Sequence, residues 1–318
     1  MNKKILAIGT AGAVGAGLIA GEFVHLYMDV MARPLKHRSV LALFEGGKKD
    51  DEPDEFKNFT EEKLKWINEQ NTERITITSE RGDTLAGFLT LAEEKSDVFV
   101  LFAHGHHSTH NGDPANFMRY YIEKGFNFLA VDHIAAGESS GNFIGFDYFE
   151  HRDCLDWITY LTARFGDDIK IIIHGVSMGG ATVCQMADKV PKQVKLAIAD
   201  CPYTSALEEY EFVLKKAGIK KSANAILNGF NRLNRIFAGF DFSETDVRNA
   251  VAKSKIPMLF VDGSADTLIP IEMTKELYDL CKAEKDIFIV DGAEHAKSIV
   301  KDEKGYHKKL DEFIAKYL

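Results

Sequence analysis

The sequence predicts an α/β fold built on a mostly parallel β-sheet. Short apolar segments alternate along the chain with segments of helical periodicity, which is the pattern of repeated strand–helix–strand units. The apolar segments are nearly continuous, as expected of strands that are buried on both faces of a sheet. Six such segments are present, at residues 98–103, 126–131, 169–173, 194–199, 256–261 and 286–290.

A pair of strands is predicted to precede this alternation. Residues 74–78 alternate isoleucine with polar side chains, as in a strand with one buried face, and residues 85–91 supply a second strand. Gly82 lies between them and suits a tight turn, so the two segments are expected to form an antiparallel hairpin.

Length, composition and charge narrow the class of protein. The chain has 318 residues, of which 45% are hydrophobic and 27% charged, an ordinary globular composition. Its formal net charge of −9 makes a nucleic-acid partner unfavourable. The four cysteines form no Cys-x-x-Cys pair, which excludes zinc-finger and thioredoxin motifs. We expect them to be buried free thiols, and a disulfide is the alternative. They are Cys154, Cys184, Cys201 and Cys281.

The chain is expected to divide into four parts. Lys3 and Lys4 precede an apolar stretch, so residues 1–21 are predicted to be a membrane anchor that leaves the rest of the chain outside the cytoplasm. A cleaved signal for secretion and a cytosolic helix are the alternatives. Residues 22–70 are expected to form a helical and linker segment, and residues 71–202 and 255–318 the core.

The fourth part is an insertion at residues 203–254. It is too long for a simple crossover and contains many apolar side chains at helical spacing. We expect a helical lid over the strand ends, in which Phe230, Leu233 and Phe237 form a stripe above the site. A peripheral subdomain away from the site is the alternative.

The sharpest motif is Gly175-Val176-Ser177-Met178-Gly179. It follows a predicted strand and opens a predicted helix, the context of a nucleophile elbow, which exposes a serine hydroxyl on a strained turn. Flanking glycines let neighbouring backbone approach closely. The motif therefore predicts that Ser177 is a nucleophile, whereas a chance serine on a surface turn is the alternative.

A serine hydroxyl needs an adjacent base, and a base needs a group that orients it. Two loops at predicted strand ends supply candidates: one carries Asp262 and Asp266, the other Asp291, Glu294 and His295. The carboxyl ends of strands are where active sites of open α/β sheets form. We predict His295 as general base and Asp266 as its partner, because four residues beyond Asp262 let the loop reach the histidine.

The loop His104-Gly105-His106-His107 follows another strand end. It suits the backbone donor of an oxyanion hole, so we predict the N–H groups of His106 and Met178 as the two donors. His104, His106, His107 and His110 also raise a metal site as an alternative. No aspartate stands within that short segment, and we predict neither a metal nor a cofactor.

With these motifs in place, the sequence from about residue 71 onward resembles the α/β-hydrolase superfamily, and within it the often membrane-anchored bacterial hydrolases related to the dipeptidyl aminopeptidase and acylaminoacyl-peptidase group. The resemblance rests on the His104 loop, the elbow, and segments 199–205, 263–270 and 295–296. It implies an eight-stranded sheet with one antiparallel strand, helices on both faces, and hydrolysis through an acyl-enzyme. One departure from the family pattern concerns packing. Relatives carry Asp-x-Arg after the corresponding strand, whereas this sequence keeps Asp132 but has no arginine two residues later.

The expected function is hydrolysis of a carboxylic ester with an apolar acyl or alkyl part, since apolar lids shape apolar pockets. An aminopeptidase-like amidase or a thioesterase of the same fold is the alternative among enzymes. The amidase would act on a peptide-like substrate. A membrane-tethered binding module is the alternative outside enzymes. The apolar stretch within residues 1–21 predicts contact with a membrane.

Overall fold

The computed structural model describes residues 24, 27–32 and 54–318 and contains one eight-stranded sheet. The strands are β1 (Thr72–Thr78), β2 (Thr84–Thr90), β3 (Val98–Ala103), β4 (Asn127–Val131), β5 (Lys170–Val176), β6 (Val194–Asp200), β7 (Met258–Gly263) and β8 (Lys285–Val290). The helices are α1 (Asp54–Asn68), α2 (Ala115–Glu123), α3 (Glu150–Phe165), α4 (Met178–Met186), α5 (Ala206–Lys216), α6 (Ala223–Phe237), α7 (Arg248–Ala252), α8 (Ile271–Leu280), α9 (Ser298–Lys301) and α10 (Glu303–Tyr317).

The strand order is β1-β2-β4-β3-β5-β6-β7-β8, and only the pairs that involve β2 are antiparallel. One antiparallel strand in an otherwise parallel sheet of eight confirms the predicted α/β-hydrolase fold. Each predicted strand is found within a few residues of its expected place.

The sheet buries both of its faces. Along β3, Phe99, Leu101 and Ala103 belong to one apolar cluster, whereas Val100 and Phe102 belong to a second cluster on the other face. Helices α3, α4 and α8 contribute buried residues to the first cluster, and α2 and α10 to the second. Burial on both faces explains why the strand segments are almost wholly apolar.

The segment between β6 and β7 is helical, as predicted. It contains α5, α6, a short 3-10 helix (Phe242–Thr245) and α7. Ser205 starts α5 by accepting a hydrogen bond from the amide of Glu208, and Asp241 forms a capping box with Glu244 at the 3-10 helix.

Residues 27–32, here called the N-terminal segment, pack into the core. Tyr27 and Met31 are fully buried, and the Tyr27 hydroxyl donates to Asn234 Oδ1 on α6 at 3.1 Å. The Ile144 amide donates to the Met31 carbonyl at 2.8 Å. These residues belong structurally with the core, although the sequence groups them with a linker.

The predicted anchor at residues 1–21 lies outside the described residues. Among the helices that the structure does describe, none combines the length and the apolar character needed to span a bilayer. All four cysteines are buried and free, which agrees with the expected buried thiols.

Candidate active site

The turn at Ser177 connects β5 to α4. Ser177 has φ 58° and ψ −120°, a conformation that strains any residue with a side chain, and its amide donates to the Asp200 carbonyl at 2.8 Å. A Cβ atom at Gly175 would lie 2.1 Å from the Gly179 carbonyl oxygen, and one at Gly179 would lie 2.0 Å from the oxygen of Ala103. Only glycine fits these two positions, so the sequence motif reflects close backbone contact.

Ser177, His295 and Asp266 form a hydrogen-bonded chain. The Ser177 hydroxyl lies 2.9 Å from His295 Nε2, and His295 Nδ1 lies 2.6 Å from Asp266 Oδ2. The second oxygen of Asp266 accepts hydrogen bonds from the amides of Leu268 and Ile269, at 2.8 and 2.9 Å. The Asp266 side chain is completely buried, so its orientation is fixed from both ends.

The charge state of His295 follows from its neighbours. Burial alone would lower the pKa of His295, but the carboxylate of Asp266 outweighs burial and raises it, with smaller contributions from Glu209 and Asp262. A raised pKa makes the imidazole a stronger base toward the serine proton.

The three competing carboxylates have other partners. Asp262 is fully buried, accepts from the Thr274 hydroxyl at 2.6 Å, and has a pKa raised to about 7, chiefly by burial. Asp291 accepts from the Ser264 hydroxyl, and exposed Glu294 pairs with Lys297. Of the four carboxylates considered from sequence, Asp266 alone hydrogen-bonds to His295.

The loop after β3 passes directly beside the serine. A Cβ at Gly105 would lie 3.3 Å from the Ser177 Cβ, and the Gly105 amide donates to Asp113 Oδ2 at 2.7 Å. Neither the His106 nor the Met178 amide donates to another group within the described residues, which leaves both N–H groups available to a ligand. Asp113 was missed from sequence, where nothing marks it among other loop acids.

The histidines of this loop take part in protein contacts. His104 Nδ1 donates to the Gly105 carbonyl, and its Nε2 accepts from the His133 amide. His106 Nε2 donates to the Val30 carbonyl at 3.1 Å, which ties the loop to the N-terminal segment. His110 Nδ1 donates to Asp132 at 3.0 Å. The arrangement that suits catalysis is therefore the one around Ser177, not the histidine rings of this loop.

Among the described residues, one set of potential metal ligands lies close together. A ligand atom each from Cys201, Asp266 and His295 lies within 4.8 Å of the others. Both oxygens of Asp266 already accept hydrogen bonds, one from His295 and the other from the two loop amides. These groups are thus part of the acid–histidine pair, with a buried thiol beside it.

The departure at Asp132 also has a structural answer. The Asp132 carboxylate accepts from the amides of His110 and Glu138, at 2.7 and 2.8 Å, and from the His110 ring. Ile134 occupies the position where relatives carry arginine, and it is buried. The Asp132 carboxylate therefore has hydrogen-bond donors without an arginine at residue 134.

Glu209, on the first turn of α5, is a further acidic group near the site that sequence reasoning missed. Its carboxylate makes no hydrogen bond or ion pair with any described residue, and it interacts electrostatically with His295 and Asp266. Burial raises the pKa of Glu209 to about 7. Its neighbour Glu208 is instead bound by Arg248 and Thr204. Glu208 and Glu209 are adjacent in the sequence, and only the folded structure shows that they have different surroundings.

Aromatic rings lie beside the loop that follows β3. The Phe146 ring lies 4.8 Å from the His106 ring and 5.4 Å from that of Tyr210, and Phe242 packs against both aromatics. The predicted stripe differs: the Phe230 and Phe237 rings contact Tyr27 of the N-terminal segment, at 5.7 and 6.0 Å.

Two protein families match parts of this sequence. The serine aminopeptidase S33 family matches residues 94–231, and the serine hydrolase (FSH1) family matches residues 175–296. Among individual proteins, the chain is 25% identical to the uncharacterized protein YqkD of Bacillus subtilis over 317 residues, covering 99% of this chain and 97% of YqkD. It is 24% identical to the lysophosphatidylserine lipase ABHD12 of Danio rerio, covering 61% of this chain and 50% of that protein.

Solved structures share the fold. An esterase of Pyrococcus furiosus, Pf2001, superimposes with a TM-score of 0.64 at 21% identity, covering 80% of this chain and 93% of that one. A putative dipeptidyl aminopeptidase IV of Bacteroides ovatus gives a TM-score of 0.60 at 18% identity, covering 78% of this chain and 36% of that one. At such identities the likeness concerns the fold.

Proposed function

We propose that this chain, which has the α/β-hydrolase fold, is a serine hydrolase that cleaves carboxylic esters through an acyl-enzyme on Ser177. The observation that carries the proposal is the hydrogen-bonded chain from Ser177 through His295 to Asp266. It supplies a nucleophile, a base and a group that orients the base.

In the first half of the reaction, His295 Nε2 takes the proton of Ser177 as Oγ attacks the ester carbonyl carbon. The carbonyl oxygen becomes an oxyanion, which the amides of His106 and Met178 stabilise as hydrogen-bond donors. The tetrahedral intermediate collapses, the bond to the alkoxy oxygen breaks, and the imidazolium of His295 gives its proton to the leaving alcohol.

In the second half, water replaces the alcohol. His295 takes a proton from this water as it attacks the acyl carbon, and then returns that proton to Ser177 Oγ as the acid departs. Asp266 accepts the hydrogen bond from His295 Nδ1 and stabilises the imidazolium.

The apolar part of the substrate is inferred from the aromatic side chains beside the oxyanion loop. Phe146 lies next to His106, and the half-buried Tyr210 ring packs against Phe146, so that Tyr210 offers an apolar wall to an acyl or alkyl chain. The esterase Pf2001 and the lipase ABHD12 act on esters by name, which agrees with this substrate class.

Labelling with a fluorophosphonate probe tests the nucleophile. Ser177→Ala should abolish labelling and lower turnover of p-nitrophenyl esters by about 10⁶-fold, as loss of the nucleophile does in serine-protease triads. Ser222→Ala, at an exposed serine that makes no capping hydrogen bond, is the control and should leave both intact. Labelling that survives in the Ser177 variant would reject the assignment.

A second candidate, cleavage of amides next to a free amino group, is supported by Glu209. An unpaired carboxylate near His295 is suited to bind the ammonium group of an aminoacyl substrate, and one matching family is named for aminopeptidases. Neutral esters would gain nothing from this contact.

A panel of p-nitrophenyl esters against aminoacyl anilides separates the two candidates. If Glu209 binds an ammonium group, Glu209→Gln should lower kcat/KM for the anilides by at least about tenfold more than for the esters, roughly the 1.5–3 kcal/mol of a charged hydrogen bond. Glu208→Gln, the matched control, should not change that ratio. If the wild-type protein does not hydrolyse the anilides, the amide candidate is wrong and the ester proposal stands.

A further inference from the structure

The helical segment between β6 and β7 differs in charge from the rest of the molecule. Although the whole chain carries a net charge of −9, residues 212–240 contain six basic residues and no acidic one. Three of the six, Lys220, Lys221 and Arg232, are exposed and have no acidic partner among the described residues. A concentrated positive stretch on an acidic protein points to an anionic partner.

The same segment carries an exposed apolar edge. Ile236 and Phe237 on α6 are 66% and 47% exposed, and Met28 of the N-terminal segment is 38% exposed. The Tyr27 ring packs against Phe237, which brings Met28 and the end of α6 to one place. Ile236 lies one helical turn beyond the unpaired Arg232, and exposed apolar and basic side chains together on one helix are the composition of a helix that lies on a membrane surface.

The direction of the chain adds a third observation. The N-terminal segment lies against α6 through Tyr27, and in the sequence five residues separate it from the apolar stretch 5–21. A chain held to a bilayer by that stretch would therefore meet the membrane at this face.

We propose that α6, the preceding loop with Lys220 and Lys221, and Met28 form a docking face for an anionic lipid bilayer. The basic side chains contact the lipid phosphates, and Ile236, Phe237 and Met28 enter the boundary between headgroups and acyl chains. His106 Nε2 donates a hydrogen bond to the Val30 carbonyl of the N-terminal segment, so docking would hold the oxyanion loop close to the lipid surface.

Co-sedimentation of the full chain with vesicles tests the charge contribution. Binding should be tighter to phosphatidylcholine vesicles with 30% phosphatidylglycerol than to pure phosphatidylcholine, and the difference should shrink in high salt. Lys220→Glu with Lys221→Glu should weaken binding to the anionic vesicles at least about 30-fold, on the basis of roughly fivefold for each basic residue at the surface. Lys304→Glu with Lys308→Glu, on α10 beyond the other face of the sheet, is the matched control.

The apolar contribution needs a separate variant. Ile236→Asp should weaken binding to both kinds of vesicle, whereas Leu91→Asp, at a similarly exposed leucine after β2, should not. Turnover of a soluble p-nitrophenyl ester and the melting temperature should match wild type in every variant, which separates docking from chemistry and folding.

Three results would overturn the proposal. Unchanged anionic binding in the Lys220/Lys221 variant would mean that the apolar N-terminus acts alone. An equal loss in the α10 control would mean that only net charge matters. A concentration-dependent dimer abolished by Ile236→Asp, together with no preference for anionic vesicles, would identify a second copy of the chain as the occupant.

Discussion

Asp262 and Asp266 lie four residues apart on one loop, yet their surroundings give them different chemistry. Asp266 accepts hydrogen bonds from two amides and from His295, whereas Asp262 has Thr274 and Gly263 as donors and a pKa raised to about 7 by burial. A carboxyl with that pKa is partly protonated at neutral pH and is a poor partner for an imidazolium.

Asparagine substitutions should separate these two residues. Asp266→Asn should lower turnover by about 10⁴-fold with the fold intact, because the amide no longer selects the imidazole tautomer that accepts the serine proton. It should also move the acidic limb of the kcat/KM profile to lower pH, since the charge that raises the pKa of His295 is gone.

Asp262→Asn is the paired variant and should affect turnover far less, with its cost appearing in the melting temperature. The reverse order of turnover losses would mean that Asp262 is the acid. The two variants keep nearly the same shape, so this comparison isolates charge and hydrogen bonding.

At the scale of elements, the strands were predictable because two buried faces leave an apolar signature in consecutive residues. The site was predictable where chemistry demands a local motif, as at the Ser177 elbow and its glycines. Contacts between distant segments left no such trace: nothing in the sequence around Tyr27 shows that it packs on α6, and nothing distinguishes Glu209 from Glu208.

Helix α6 shows the consequence for the predicted lid. Phe230 is 7% exposed and packs edge-on against Tyr27, whereas Tyr210 on α5 packs against Phe146, whose ring lies beside His106. Phe230→Ala should therefore cost about 3–5 kcal/mol of stability, as expected for a buried phenylalanine, and leave the preference for acyl-chain length unchanged.

The matched variant is Tyr210→Ala, which should alter chain-length preference with a smaller drop in melting temperature. The expected change is about 1–3 kcal/mol for each methylene of the acyl chain that packs against the Tyr210 ring in the wild type. Thermal melts and ester-panel kinetics on both variants decide the matter. A changed preference in the Phe230 variant would restore the predicted stripe as the roof of the pocket.

At the scale of the whole molecule, burial shifts two sets of titratable groups. Among the described residues, burial raises the pKa values of six carboxyl groups, with Glu150, Glu209 and Asp262 at about 7, Asp153 and Asp200 at about 6, and Asp147 well above its ordinary value. Burial lowers the pKa values of His104, His106, His133, His151 and His174.

These two sets act on stability at different pH. Below about pH 6.5 the unfolded chain takes up protons that the buried histidines refuse, so stability falls as the pH drops. Between about pH 4 and the raised carboxyl pKa values, the folded state holds the extra protons, so stability falls as the pH rises. Above pH 6.5 the effect of the buried neutral histidines is gone, and the carboxyl groups act in the same direction as His295, whose pKa is raised. The free energy of unfolding should therefore decrease toward pH 8.5, by about 1 kcal/mol for each buried carboxyl with a pKa near 7.

Asp147 is the place to test this pH dependence. Its Oδ2 accepts from the Tyr203 hydroxyl at 3.2 Å, and its buried Oδ1 has no hydrogen-bond partner among the described residues. Its φ of 71° is one that asparagine tolerates well. Asp147→Asn removes a charge that is costly to bury, so it should raise the melting temperature at pH 8.5 and reduce the decline from pH 6.5. Asp168→Asn, at an exposed carboxylate, should reproduce the wild-type decline; if both variants match wild type, the buried charge of Asp147 does not set the alkaline stability.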